Sequence, residues 1–177
     1  MQAPDAFRQQ LLVVMPRLRR YARSLVFDMT QADDLVQTAL ERALSHWHQF
    51  DQRRDMLVWV LSIAHNAYLD QRRRDARMTG LDIESDMAEL QSPDPTSGIG
   101  LRLDLEAALA SLPPQQREPL LLVGVEQLSY AECAEILQVP IGTVMSRIAR
   151  GRAALREHLD GGTGRPPAGQ PVLRRVV

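Results

Sequence analysis

Thr143, Ser146, Arg147 and Arg150 fall on one side of a helical pattern near the C-terminal end of the chain. Ile141, Val144, Ile148, Gly151 and Leu155 recur on the other side, at spacings of 3, 4, 3 and 4. Hydroxyl and guanidinium groups donate hydrogen bonds to base edges and phosphate oxygens. A helix with an apolar back and such a front is therefore suited to reading the major groove of DNA. The plainer alternative is a surface helix whose charges are only solvated, and one helix by itself does not separate the two. The residues in front of it favour the groove reader. Ser129 and Glu132 form an S-x-x-E capping box before an apolar run that ends near Leu137. Gln138 to Gly142 then makes a tight connection containing Pro140, the spacing of a helix-turn-helix.

A second set lies on residues 56–73, opposite an apolar stripe of Leu57, Val60, Leu61, Ala64, Ala67 and Tyr68. There Trp59, Ser62, Asn66, Asp70 and Arg73 share a face, followed by the run Arg72-Arg73-Arg74. An aromatic ring can stack on an unpaired base, an amide and a hydroxyl can bond its edge, and arginines can hold phosphates. For Trp59 alone, a place in the core at the edge of that face is the stronger alternative.

Chemistry that breaks bonds finds little support. His46, His48, His65 and Asp70 are the only candidates for a metal set, and they form no H-E-x-x-H pattern; no phosphate loop or nucleophile elbow occurs. Cys133 falls on a helix expected to be buried, where an inert thiol is the usual state. The sequence therefore predicts a non-enzyme with no metal and no cofactor.

The elements that must carry these faces are helical. Leu11, Met15, Leu18, Ala22 and Leu25 set one helix over residues 7–26. Leu35 or Val36, Ala39 or Leu40, Ala43 or Leu44, and Trp47 set another over 31–47, with Thr30 expected to cap it and Asp33 and Asp34 in its first turn. After a loop from His48 to Asp55 comes the helix of 56–73. Leu101, Leu105, Ala108, Leu109 and Leu112 open a second unit. Leu112-Pro113-Pro114 makes a turn before a mostly apolar helix of about 115–125, in which Pro119 should displace or kink the start. The expected fold is all-α: two small helical domains, 6–77 and 101–159, the second a helix-turn-helix domain. They are joined by a flexible acidic linker, 78–100, and followed by a disordered Gly/Pro-rich tail, 160–177.

Charge follows the same division. All 21 basic residues are arginine, and net charge is −1. Arg72, Arg73, Arg74 and Arg77 cluster at one place and Arg147, Arg150, Arg152 and Arg156 at another. Between them, residues 79–106 carry seven acids against Arg102 alone. Two basic places flanking an acidic middle suggest a polyanion touched twice. A single cysteine excludes an internal disulfide, and no apolar run approaches the ~20 residues that a membrane span needs. The N-terminal residues lack the basic stretch and apolar core of an export signal, so a cytoplasmic protein without membrane insertion is expected.

Four stretches together resemble the extracytoplasmic-function (ECF) class of RNA polymerase sigma factors. They are Ala32-Asp-Asp-Leu-Val-Gln-Thr-Ala-Leu-Glu-Arg-Ala-Leu44, Trp59-Val-Leu-Ser-Ile-Ala-His-Asn-Ala-Tyr-Leu-Asp-Gln-Arg-Arg-Arg74, Leu112-Pro-Pro-Gln-Gln-Arg-Glu118, and Leu128–Leu137 with Gly142–Arg152. The resemblance spans about 6–159 and implies the following roles. Asp33, Asp34, Leu35, Gln37 and Arg42 would dock on the β′ clamp of core RNA polymerase, and the second domain would meet the β flap. The loop 46–56 with Trp59, Ser62 and Asn66 would capture a flipped minus-ten base, with Arg72, Arg73 and Arg74 on phosphates. The acidic linker would thread toward the polymerase active centre. Thr143, Ser146, Arg147, Arg150 and Arg152 would meet the minus-thirty-five element. An anti-sigma factor would hold the chain inactive. Two departures stand out: Met145 replaces a common basic residue, and Gly151 lies inside the reading helix at a cost of about 1 kcal/mol in helix propensity. A stand-alone helix-turn-helix regulator would explain residues 112–159 but leave the first domain without a purpose.

Overall fold

The structure is a computed structural model that describes residues 3–79 and 100–162. Among these residues there are seven α-helices and no strand. Helix α1, Asp5–Val26, buries Phe7, Leu11, Leu18, Tyr21, Ala22 and Leu25 along one side. It ends where Phe27 takes a left-handed backbone and its N–H closes on the Arg23 carbonyl at 3.1 Å.

Helix α2, Met29–Ser45, starts earlier than expected. Its cap is Asp28, whose carboxylate accepts from the Gln31 amide at 2.7 Å, and Thr30 already lies inside the first turn. Asp28 has the extended backbone that lets a side chain fold back onto the first amides. Asp33 and Asp34 consequently fall beyond the first turn, where the helix dipole acts on them less. Helix α3, Met56–Thr79, is capped by Asp55, which accepts from Leu57 and Val58 at 2.7 and 3.2 Å. All six expected core positions of α3 are buried, and His65 joins them. The helix runs through residues 78 and 79, so the expected linker begins later; the remainder of it, 80–99, and the tail beyond 162 lie outside the described residues.

The second unit comprises α4 (Gly100–Ala110), α5 (Pro114–Leu120), α6 (Tyr130–Leu137) and α7 (Ile141–Gly162). Pro114 occupies the first position of α5, as expected. Pro119 does not displace the start. The helix instead widens just after it into a π-helical turn, Leu121–Val125, closed by the Glu126 amide on the Leu121 carbonyl at 2.9 Å. A proline inside a helix removes one i→i−4 bond, and the ladder here resumes in the wider register. The Ser129–Glu132 capping box forms in full. Two apolar positions face outward against expectation: Leu105 is 45% exposed and Ile141 is 46% exposed. Ile141 opens α7, ahead of the turns that press Val144 and Ile148 into the core.

The close approach of α5 and α7 requires Gly151. A Cβ there would lie 2.6 Å from Leu120 Cδ1 and 3.2 Å from the Gln116 carbonyl oxygen. The two units are not separate cores. Leu18, Leu35 and Ala64 belong to one apolar cluster with Leu121, Leu122, Cys133, Ile136 and Ile148, because α1 and α3 pack on α5, the π turn and α6. Gly151→Val should destabilise the chain by roughly 1–3 kcal/mol through overpacking. That appears as a lower midpoint of thermal unfolding by circular dichroism; an unchanged midpoint would mean that α5 and α7 can part at little cost.

Candidate nucleic-acid and polymerase interfaces

Helix α7 separates its two sides physically. Val144 and Ile148 are 0% and 2% exposed, holding its back to the core. On the front, Arg150 and Arg152 are exposed, while Thr143, Ser146 and Arg147 are half-buried at its edges. Ser146 Oγ donates to the Thr143 carbonyl at 3.0 Å and accepts from Arg150 Nη2 at 3.4 Å, so the hydroxyl is occupied within the helix and holds the guanidinium against it. Ile141 and Met145, one turn apart and each about half exposed, add an apolar strip to the same end of the helix. The turn before α7 depends on Gln138 in a left-handed conformation, with the Val139 amide returning to the Ala134 carbonyl at 3.2 Å. This is a helix-turn-helix with its donors outward.

The α3 face is less uniform than its sequence pattern. Asn66, Arg73 and Arg74 are exposed. Trp59 is half-buried in an aromatic group, its ring centroid 5.9 Å from Phe7 and 5.2 Å from Phe50. Its indole thus fixes the loop before α3 against α1 and shows only part of its surface. Ser62 Oγ is occupied by the Val58 carbonyl at 2.8 Å. Arg72 lies over the Tyr68 ring, 5.9 Å from its centroid. Asp70 gathers several arginines: its carboxylate meets Arg42 at 3.0 Å and Arg73 at 3.8 Å, and its carbonyl accepts from Arg74 at 3.3 Å.

On α2, Asp33, Asp34 and Gln37 are exposed, and Gln37 donates to Glu41 at 2.9 Å. Leu35 is 1% exposed, so it holds the helix to the core and offers no surface to a partner in this conformation. Arg42 ties α2 to α3 through Asp70 and faces outward only in part.

Sequence reasoning missed a fourth polar group, which lies between the two units. Glu126 is 0% exposed and meets Arg20 at 2.8 and 2.9 Å and Arg17 at 3.0 Å; Arg17 also donates to the Glu126 carbonyl. The hydrogen bond to Glu126 raises the already high pKa of Arg20, against the opposing effect of burial. Glu118 accepts from the Tyr21 hydroxyl and faces His65 Nδ1 at 2.7 Å. Burial, with the Glu118 charge beside it, pushes the Tyr21 phenol well above its ordinary range. Arg117 lies over the Phe27 ring at 4.9 Å, and burial lowers its pKa. Arg54 pairs with Glu135. The signal available in the sequence was Glu126 directly after the apolar run Leu120–Val125; the partners of the two glutamates, 53 to 109 residues away in the chain, carried none. Among the described residues no cluster of His, Cys, Asp and Glu could hold a metal ion, and no helix is long and apolar enough to cross a membrane.

Residues 102–155 match the family model described as sigma-70 region 4, and residues 11–65 match that of the sigma2 domain of PhyR. The ECF RNA polymerase sigma factor EcfG of Rhodopseudomonas palustris (strain TIE-1) is 34% identical over 152 residues, covering 85% of this chain and 83% of that protein. The chain belongs to the ECF RNA polymerase sigma factors. The sigma factor RpoE of Bartonella quintana, solved in complex with the anti-sigma factor NepR, superposes on this sigma factor with a TM-score of 0.76 at 32% identity, covering 92% of this chain and 100% of that one. CnrH, solved with the cytosolic domain of CnrY, follows with a TM-score of 0.65 at 28% identity and 88% coverage of both chains. Sigma factors are transcription regulators that bind core RNA polymerase and promoter DNA.

Cys133, 0% exposed on α6, belongs to the core of this sigma factor and to none of these faces. Burial, with Glu118 adding to it, pushes its thiol up to about 12. Since only the thiolate reacts, alkylation of the native protein by iodoacetamide at pH 8 should be at least about a hundredfold slower than in urea. Equal rates in the two states, followed by mass spectrometry, would show an accessible and reactive thiol.

Proposed function

We propose that this sigma factor docks on core polymerase through the outer face of α2, with Asp33, Asp34 and Gln37 in contact and Arg42 at the edge. The exposed part of α3, Asn66 with Arg73 and Arg74, takes the melted minus-ten strand together with the half-buried Arg72, and Trp59 and Ser62 shape the loop and helix that receive it. Thr143, Ser146, Arg147, Arg150 and Arg152 meet the minus-thirty-five element. The functional units are residues 6–77 and 101–159, the second also meeting the β flap. The single observation that carries this reading is the arrangement of α7: a back sealed by Val144 and Ile148, and a front on which the Arg150 and Arg152 guanidinium groups are open to a partner.

Control by an anti-sigma factor is part of the proposal, supported by the two similar sigma factors solved with such partners. The chain acts in the cytoplasm and catalyses nothing itself, since its polar groups serve to bind nucleic acid and polymerase. Phosphate contacts of this kind release counterions, so duplex affinity should fall with salt. Arg150→Ala should reduce the slope of log affinity against log salt by about 1.

Transcription with sigma-free bacterial core polymerase and a library of promoters from the host genome tests the whole reading. Initiation that requires this chain, and that drops at least about tenfold for Asn66→Ala or Arg147→Ala, is the expected result. A folded chain, free of inhibitor, that does not bind core would sink the proposal.

A further inference from the structure

The exposed surface of α7 over its first three turns divides into two strips. Ser146 and Arg150 lie along one. Ile141, Met145 and Ala149, four residues apart, lie along the other; all three are exposed, the first two to 46% and 48%. Gly142 separates the strips at the helix start, where an added Cβ would meet nothing within 4 Å. No side chain of the second strip can donate a hydrogen bond, and its only acceptor is the weak thioether of Met145. The Ser146 hydroxyl beside it already donates its proton to the Thr143 carbonyl at 3.0 Å. Arg152 and Arg156, both exposed, continue the apolar strip in the following turns, while Arg150 ends the polar one.

Two large apolar side chains held in water at the reading end of a helix gain by burial against an apolar group. The cations around them fix the kind of molecule that carries it. Arg150 on one side, with Arg152 and Arg156 on the other, suits phosphates on both walls of a groove. The major groove is about 12 Å wide, close to the diameter of a helix with its side chains. The apolar group displayed on its floor is the C5-methyl of thymine. An alkyl or thioether group laid over guanine would instead leave O6 and N7 dry and unpaired, so the same strip disfavours guanine. Ile141 and Met145 are about 6 Å apart along the helix axis, close to two base-pair steps of about 3.4 Å.

We propose that Ile141, Met145 and Ala149 read thymine methyl groups in the minus-thirty-five element, with Met145 as the specificity-determining residue. The arginines around the strip hold phosphates, and the sequence between them is read in part without hydrogen bonds. Met145 suits this place because its unbranched, polarizable side chain adapts to the position of a methyl group. The inference rests on the assignment of α7 to that element.

Deoxyuridine tests it, because it pairs as thymine does and lacks only the methyl group. The full chain, bound to sigma-free core polymerase, is titrated with a promoter duplex selected from the genomic library. Each thymine of the minus-thirty-five element is replaced in turn. At one or two positions deoxyuridine should weaken binding about fourfold, the effect of one methyl group left without its contact. Met145→Gln, similar in length but polar, should bring that loss below about twofold at one of these positions, and Met145→Leu should retain it. Met145 is exposed, so neither variant disturbs the core. Arg150→Ala should lower the salt dependence and keep the deoxyuridine effect. If the sequence of the element matters but deoxyuridine has no effect anywhere in it, the methyl-reading strip is overturned. A deoxyuridine effect that persists undiminished at every position in Met145→Gln removes Met145 from the role and overturns it equally. A complex that binds with the same affinity whatever the sequence of the element overturns the assignment of α7, and the inference falls with it.

Discussion

Two carboxylates removed from water set the terms on which this protein packs. Glu118 and Glu126 belong to the second helical unit, yet every strong partner they have, apart from the backbone, comes from α1 and α3 of the first. Burying a charge costs several kcal/mol unless its partners are in place, so these two residues tolerate one relative placement of the units. The apolar cluster that runs through both units supplies the attraction, and the carboxylates supply the register.

That register depends in turn on a local irregularity. Pro119 interrupts the bonding of α5, the chain widens into a π turn, and the Glu126 amide closes it on the Leu121 carbonyl. Glu126 meets Arg17 and Arg20 at the end of this wider turn. Gly151 allows α7 to lie directly on α5 at the other side. A helix break and a missing side chain, each unfavourable in an isolated helix, shape the second unit: the first sets Glu126 against α1, the second seats α7 on α5.

With the inner surfaces used in this way, the outer faces of α2, α3 and α7 remain for partners. They differ in character. The α7 front carries the exposed guanidinium groups of Arg150 and Arg152 on a rigid support. The α3 face is partly spent on its own structure: Trp59 stacks within the domain, Ser62 bonds to its own helix, and Asp70 holds Arg42 and Arg73. Asn66 and the following arginines are what that helix presents outward. The two faces lie on helices linked by α6.

The sequence by itself determined the all-α class, the capped helix before the turn, the apolar stripes of α1, α2 and α3, and the family. These depend on residues near one another in the chain, through the 3.6-residue period and the cap at Ser129. It missed the cap at Asp28 and the length of α3 by a few residues, because the energy differences at helix ends are small. It also placed Ile141 and Leu105 on buried sides, because periodicity gives a face but not what lies opposite it. The joining of the two units was decided by tertiary structure alone. Arg17 and Arg20 look like solvated charges on a surface helix until a carboxylate more than 100 residues away is brought against them. Nothing local marks such a pair: each residue is compatible with water until packing removes the water, and only the fold decides which charges lose it together.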